Sequence, residues 1–216
     1  MKKIYIIGSN PNDFFDLTLQ SFKILSKSNL IILSKKFNNN FFKILTDNNK
    51  KFLIEEEIVP STEQLQKEIY KLFSKYNKIA HLIVGDSYLF SENENERFFK
   101  MKKIEVEKFL GIPEIINYVN NKKYFLTNRK RNSSVIFFSP LSEIDCEKLL
   151  SMTRLDKLVI KIPSKLILEN ILKILKKNDF KSFNYRIFFN SKELKSEKNI
   201  KLIGRNNYLY IILEHV

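Results

Sequence analysis

The chain has 216 residues, which is enough for one or two α/β domains with a sizeable hydrophobic core. Hydrophobic residues make up 44% of it and charged residues 29%, a balance that excludes a disordered chain. The formal net charge of +14 favours an anionic partner, either nucleic acid or a polyanionic small molecule, although a bias towards Lys, Asn, Ile and Phe throughout the chain also accounts for it.

Strands and helices alternate through the first half of the sequence. Short apolar runs predict strands over residues 4–7, 30–33, 52–54, 79–84 and 104–106. Helices are predicted after Asp13 or Asp16, either of which could cap a helix with Leu17, Phe22, Ile24 and Leu25 on its apolar face, and around residues 41–45, 61–76 and 93–102. Ser61 and Gln64 have capping-box spacing, and His81 lies inside an apolar strand, where a core position is expected.

The second half begins after a polar stretch, 117–123, which is predicted to link two domains. Strands are predicted over residues 134–139, 158–162, 185–189, 201–203 and 208–213, and the pair 206–207 suits a hairpin turn. Helices are predicted over 143–152 and after Ser164, which can cap the second of them. The order of elements predicts an α/β protein of two lobes: residues 1–116 with a parallel sheet and residues 117–216 with a mixed sheet.

Two predicted strand ends in the first domain carry glycine. Gly8 follows the first strand, and Gly85 with Asp86 follows the strand over 79–84. In open α/β sheets the ligand lies at the carboxyl ends of the strands, and a glycine there allows it to approach the backbone. We therefore expect both glycines to open onto one crevice. The alternative for Asp86 is a helix cap, and for Gly8 and Pro11 a tight turn.

Cellular location and metal content are predicted from small features. The apolar run after Lys3 is too short for a signal peptide, and no run is long enough to cross a membrane. The single cysteine, Cys146, cannot form an internal disulfide, so a cytoplasmic protein is expected. Two histidines and one cysteine, all far apart in sequence, do not predict a metal site.

Three motifs in order resemble the tetrapyrrole methylase family, and most closely its uroporphyrinogen-III C-methyltransferases. Residues 4–13, IYIIGSNPND, followed by Leu17-Thr18-Leu19, resemble the family's strand-G-x-G-P-G-D start and its L-T-L. Residues 84–90, VGDSYLF, resemble G-G-D-P-F-x-F. Residues 126–129, LTNR, followed by 133–138, SSVIFF, resemble L-T-H-R and S-V-T-F-V. The resemblance covers essentially the whole chain.

This resemblance implies two α/β domains with S-adenosylmethionine in the cleft between them, usually in a homodimer. The implied reaction is methylation of pyrrole carbons of uroporphyrinogen III, giving precorrin-2 and S-adenosylhomocysteine. A basic chain suits such an anionic tetrapyrrole, and the pattern does not favour nucleic acid or a membrane as the partner. The residues expected to contact the cofactor are Gly8, Pro11, Gly85, Asp86, Leu89 and Ile162. Thr127 and Arg129 are expected at the substrate.

Several positions depart from the family pattern. Ser34 stands where the family has a carboxylate thought to act as a base, and serine cannot do so without a neighbouring base. Residues 55–57, three glutamates, replace a G-K-R that includes a lysine proton donor, and residues 110–114 lack a small hydroxyl residue that touches the cofactor. Asn10 and Asn12 stand in place of glycines, Val84 replaces the first glycine of G-G-D, and Ser87 replaces its proline.

These departures leave three hypotheses open. The first is a methyltransferase acting on a tetrapyrrole or a similar anionic acceptor. The second is a non-catalytic descendant of the fold that binds or assembles other molecules, since a fold does not carry a function by itself. The third is a family enzyme with another acceptor, such as ribosomal RNA, which the basic composition favours.

Overall fold

The computed structural model describes residues 1–58, 62–89, 94–127, 134–148, 156–176, 183–189, 192–194 and 209–215. The chain divides into two compact units, Met1–Asn117 and Tyr118–Val216, called the first and second unit below. No helix in the described part of the chain is long and apolar enough to cross a membrane.

The first unit contains a five-stranded parallel sheet. Its strands are β1 (Lys3–Ser9), β2 (Leu30–Leu33), β3 (Phe52–Ile54), β4 (Lys78–Val84) and β5 (Glu105–Phe109). They lie in the order β3-β2-β4-β1-β5, and every pair is parallel. The residues of β2 are buried without exception, as expected for an interior strand with both faces covered. All five strands were predicted from the sequence.

Helices cover both faces of this sheet. The described helices from Met1 to Asn121 are α1 (Leu19–Lys27), α2 (Asn39–Asp47), α3 (Glu55–Ile58), α4 (Thr62–Leu72), α5 (Glu94–Met101) and α6 (Glu114–Asn121), and α6 runs across the division between the two units. One face packs Tyr5 and Ile7 of β1 against α1 and α2. The other packs Ile4 of β1 and Ile79 of β4 against α4 and α5. Because side chains alternate along a strand, neighbouring residues of β1 enter different cores.

The start of α1 differs from the sequence prediction. Thr18 caps the helix by accepting a hydrogen bond from the Ser21 N–H, whereas Asp13 caps a single 3-10 turn, Phe14–Asp16. Phe22, predicted on the apolar face, is 45% exposed, while Leu25 is buried. Because of the extra turn, α1 begins at Leu19, six residues after Asp13, and Phe22 does not face the core.

The second unit contains a mixed sheet in the order β6-β7-β10-β8-β9. Its strands are β6 (Val135–Phe138), β7 (Lys157–Ile162), β8 (Phe183–Phe189), β9 (Lys192–Leu194) and β10 (Leu209–His215). β6 and β7 are parallel, and β10 is antiparallel to both β7 and β8. The helices are α7 (Glu143–Glu147) and α8 (Lys165–Leu175), and Ser164 caps α8 as predicted.

Other predictions for this half need correction or stay open. The stretch predicted to link two domains, 117–123, contains the division between the two units, and it is largely helical because α6 continues to Asn121. β9, which pairs with β8, was not predicted. The predicted cap at Ser61, strand over 201–203 and turn at 206–207 lie outside the described residues.

Candidate functional site

At the carboxyl edge of the first sheet, the chain leaves the neighbouring strands β1 and β4 in opposite directions. β1 leads to β2 and β4 leads to β5, so each connection passes over the other strand. Their helices lie on opposite faces, with Leu25 of α1 in one core and Phe99 of α5 in the other. Open α/β sheets bind ligands outside such a switch point. The loops after β1, β4 and β5 therefore form the candidate site.

Three glycines meet at this edge. A Cβ built on Gly8 would lie 2.5 Å from the Gly85 carbonyl oxygen and 2.9 Å from the Ser87 nitrogen, and one on Gly111 would overlap the backbone of Gly8 and Gly85. Gly85 has φ +87°, and its Cβ would meet only the Glu114 nitrogen, at 3.7 Å. Loop packing thus accounts for glycine at 8 and 111, and backbone conformation accounts for it at 85. Of the two glycines predicted to contact a ligand, only Gly85 has free space where a side chain would point, and this space is called its open side below.

The carboxylate of Asp86 ties two of these loops together. One oxygen accepts hydrogen bonds from the Tyr88 and Leu89 N–H groups, both at 2.8 Å, and the other accepts one from the Gly111 N–H at 2.9 Å. Ser87 beside it is fully buried and donates to the Phe109 carbonyl at 2.8 Å. The alternative predicted for Asp86, a helix cap, is not seen among the described residues, because Tyr88 and Leu89 lie in a turn and α5 begins only at Glu94. The carboxylate instead closes this turn and anchors the loop after β5.

The loop after β1 begins with buried polar groups. The Gly85 N–H donates to the Ser9 carbonyl at 2.8 Å, which joins this loop to the end of β4. The Ser9 hydroxyl is buried and has no hydrogen-bond partner among the described residues. The Asn10 amide donates to Asp16 at 2.5 Å and accepts from the Asn12 N–H at 3.0 Å, so this side chain is held within its own loop. Pro11 is buried beside it.

A second polar group lies at the ends of β2 and β3. The Ser34 hydroxyl donates to Glu56 Oε1 at 2.5 Å, and the Lys35 N–H donates to Glu56 Oε2 at 2.9 Å. Burial by itself raises the pKa of the Glu56 carboxyl, but these two hydrogen bonds, a third from its own backbone N–H and the charge of Lys35 together bring the pKa below its ordinary value of 4.5. The preceding residue, Glu55, bonds His81 Nε2 at 2.6 Å. His81 is 3% exposed, which confirms its predicted core position.

The remaining predicted site residues belong to the second unit. Ile162 ends β7 and is buried in the core beneath α8. Thr127 is exposed, and Arg129 lies outside the described residues. Their contacts with cofactor or substrate stay predictions. Among the described residues, no group of three or more His, Cys, Asp or Glu side chains comes together that could hold a metal ion.

Some residues of the site were not identified from the sequence. Gly111 was considered only as part of residues 110–114, which lack the family's small hydroxyl residue, and was not named as a site residue, yet the chain has just four glycines and three of them lie at this edge. Because glycine is so rare in this chain, each glycine could have been predicted to lie where the backbone admits no side chain. The pairing of Ser34 with Glu56 had no detectable pattern, because the two residues are 22 positions apart and meet only when β2 and β3 align.

Comparison of the sequence with protein-family models and with curated proteins finds no match. Comparison of the fold with solved structures finds many. Uroporphyrin-III C-methyl transferase from Thermus thermophilus, complexed with S-adenyl homocysteine, is 16% identical with a TM-score of 0.67, covering 97% of this chain and 96% of that one.

Two further structures extend this likeness. The cobalamin biosynthetic enzyme cobalt precorrin-4 methyltransferase is 13% identical with a TM-score of 0.69, covering 99% of this chain and 94% of that one. Precorrin-6Y methylase from Archaeoglobus fulgidus is 16% identical with a TM-score of 0.61, covering 99% and 97%. The chain therefore has the two-domain tetrapyrrole methylase fold, as its three ordered motifs predicted.

Proposed function

We propose that this protein is an S-adenosylmethionine-dependent methyltransferase that acts on an anionic tetrapyrrole, in the manner of the uroporphyrinogen-III C-methyltransferases. The observation that supports this most is the placement of two ordered motifs, around Gly8 and around Gly85, at the switch point of the first sheet. The fold is shared along nearly the full length with enzymes of that activity. The excess of basic residues supports a substrate with many carboxylates.

The residues at this edge fit a cofactor of this kind. The open side of Gly85 would allow close approach to its backbone, and the buried Ser9 hydroxyl is an unpartnered polar group, among the described residues, at the same switch point. Asp86 and Leu89 would hold the loop in place around it, since the carboxylate accepts hydrogen bonds from the N–H groups of Tyr88, Leu89 and Gly111. When bound, the cofactor supplies a methyl group on a positively charged sulfur. The chain's part is to orient the acceptor in line with it, which contributes much of the rate in such transfers.

Titration calorimetry with S-adenosylmethionine and with S-adenosylhomocysteine tests the cofactor half of the proposal. We expect both to bind the wild-type chain, and Gly85→Ala to weaken binding at least ten-fold, because the added methyl group would occupy the side of Gly85 left open. The exposed Tyr88→Ala serves as the matched control beside it. No detectable binding of either compound to the wild-type chain would refute the proposal.

Transfer of a labelled methyl group to uroporphyrinogen III tests the acceptor half. Formation of a methylated product with the mass of precorrin-2, above a control without the protein, is expected. Sedimentation of the purified chain tests the homodimer that the resemblance implies.

A second candidate is a binding or assembly protein without catalysis. It is favoured by the full engagement of Asp86 with backbone N–H groups and by the serine at position 34. Cofactor binding without any methyl transfer, over a panel of tetrapyrroles, would favour this candidate over the first. Methyl transfer above the control would remove it.

A further inference from the structure

Ser34 and Glu56 form a hydroxyl–carboxylate pair at the carboxyl edge of the first sheet. Ser34 directly follows β2, and Glu56 is the second residue of α3, which begins where β3 ends. The 2.5 Å bond from the Ser34 hydroxyl and the 2.9 Å bond from the Lys35 N–H fix both carboxylate oxygens. Two hydrogen bonds to one carboxylate leave it little freedom to rotate, so its remaining lone pairs have fixed directions.

The pair lies along the same edge as the glycines of the candidate site. β4 is the only strand between β2 and β1, so the end of β2 is about 10 Å from the end of β1 at the usual strand spacing. A ligand of nucleotide size, or a methyl acceptor beside it, can span that distance. Glu56 is also partly exposed, whereas Ser34 is only 9% exposed, so the carboxylate is the accessible member of the pair.

The neighbouring glutamates, Glu55 and Glu57, are not held against Ser34 as Glu56 is. Glu55 bonds His81, which is buried in β4, and so reaches across the end of β2. Glu57 is exposed on the same short helix. The charged groups around Glu56 are Lys35, which favours its ionised form, and the flanking Glu55 and Glu57. Glu55 is bonded to His81.

We infer that Glu56 is the catalytic base of the reaction and that Ser34 is the residue that positions it. This inference rests on the proposed methyltransferase function. Ser34 occupies the place after β2 where the family resemblance implies a carboxylate, and the structure brings one to it from the neighbouring strand. Glu56, which follows β3, thus places a carboxylate beside the end of β2, where the chain itself has a serine.

The step that Glu56 would assist is removal of a proton from the acceptor. The nucleophilic carbon of the acceptor forms a bond to the methyl group of a sulfonium donor, and the methyl–sulfur bond breaks with its electron pair left on sulfur. Each outer pyrrole carbon of uroporphyrinogen III already carries a carboxylate side chain, so the methylated carbon becomes quaternary and has no proton to lose, and the positive charge lies on the ring as an iminium. The Glu56 carboxylate takes a proton from the ring nitrogen or from the adjacent bridging carbon, whose electron pair neutralises the iminium, and the carboxylate becomes a neutral carboxylic acid. Proton transfer by a positioned side chain contributes about 10²- to 10⁴-fold to a rate.

The test uses the full chain, with labelled S-adenosylmethionine and uroporphyrinogen III as the probes. Glu56→Gln keeps the shape of the side chain and removes the base, and Glu57→Gln is the matched control on the same helix. We expect Glu56→Gln to lower kcat about 10²- to 10⁴-fold, with cofactor affinity in calorimetry within two-fold of wild type. Glu57→Gln should keep kcat within two-fold.

A swap variant separates a chemical role from a structural one. Ser34→Asp combined with Glu56→Gln returns the carboxylate to the end of β2 and should recover at least ten-fold of the lost kcat. Ser34→Ala removes a hydrogen bond that lowers the pKa of Glu56, so the acid limb of kcat/KM should move to higher pH.

The outcomes distinguish this inference from the function on which it rests. Equal rates for Glu56→Gln and Glu57→Gln would overturn the base assignment, as would a loss of rate that the swap does not recover. A wild-type chain that binds the cofactor but transfers no methyl group overturns the role of Glu56 and leaves the cofactor site standing. A wild-type chain that binds no cofactor overturns both.

Discussion

Gly8 and Gly111 lie back to back, with the space of each side chain filled by the backbone of the other's loop. A Cβ on Gly8 would lie 2.8 Å from the Gly111 nitrogen, and a Cβ on Gly111 would overlap the carbonyl group of Gly8. Real Cβ atoms do not approach backbone atoms so closely, so neither position accepts another residue without a shift of main chain. The loops after β1, β4 and β5 therefore pack as one layer.

This packing predicts different costs for two glycine substitutions. Gly111→Ala should lower the free energy of unfolding by about 3 kcal/mol, because backbone atoms must move to admit the methyl group. Gly85→Ala should cost only about 1–2 kcal/mol, since its Cβ has room and the penalty comes from φ +87°. Urea denaturation followed by circular dichroism measures both. A loss for Gly85→Ala that exceeds that of Gly111→Ala would contradict the packing described.

The buried His81 predicts a stability role for Glu55. In Glu55→Ala the imidazole Nε2 loses its partner at 2.6 Å while the ring stays buried, which should cost about 1–3 kcal/mol of unfolding free energy. Glu57→Ala, at an exposed position two residues later, should change stability by less than about 0.5 kcal/mol. Denaturation of the two variants side by side makes the comparison. Equal losses of unfolding free energy in the two variants would show that the bond between Glu55 and His81 does not stabilise the fold.

Glu96 on α5 predicts an acid-dependent loss of stability. Hydrogen bonds from Lys100 and Lys108 bring the pKa of its carboxyl to about 2 from an ordinary 4.5. A lowered folded-state pKa contributes stability that is complete above about pH 4.5 and is lost as the pH falls towards about 2. The stability difference between wild type and Glu96→Gln should therefore shrink across that window. Denaturation at a series of pH values measures it, and a constant difference would refute the assignment.

In the second unit, Tyr124 and Glu214 should be energetically coupled. The Tyr124 hydroxyl donates to Glu214 Oε2 at 2.6 Å, and Lys157 approaches the other oxygen at 3.0 Å. Burial and this carboxylate raise the pKa of Tyr124. A double-mutant cycle of Tyr124→Phe and Glu214→Gln should give a coupling of about 1–2 kcal/mol, as for a hydrogen bond to a charged group. Additive losses would show that the two side chains act independently.

Local patterns were sufficient for most of the fold. The alternation of short apolar runs with helical spacing predicted every strand of the first sheet, and Ser164 was identified as a cap because capping depends on only four successive residues. The start of α1 was predicted wrongly, since Thr18 and Asp13 are both good caps and only the packing of Phe14 decides which turn each begins. The whole of α6 was missed, because its polar second half suits a loop as well as a helix.

The candidate site was determined partly by sequence and partly by tertiary structure. The sequence by itself determined that the chain turns at Gly85, because a glycine after a buried apolar run allows the positive φ found there. Gly8, predicted to follow the first strand, lies inside β1 and pairs with Ile83. Only the tertiary structure decided that Gly111 fills the space beside Gly8, that Asp86 binds the loop after β5, and that Glu56 meets Ser34. Those contacts join residues 22 to 103 positions apart, and they form only when parallel strands align and bring their carboxyl ends to one edge.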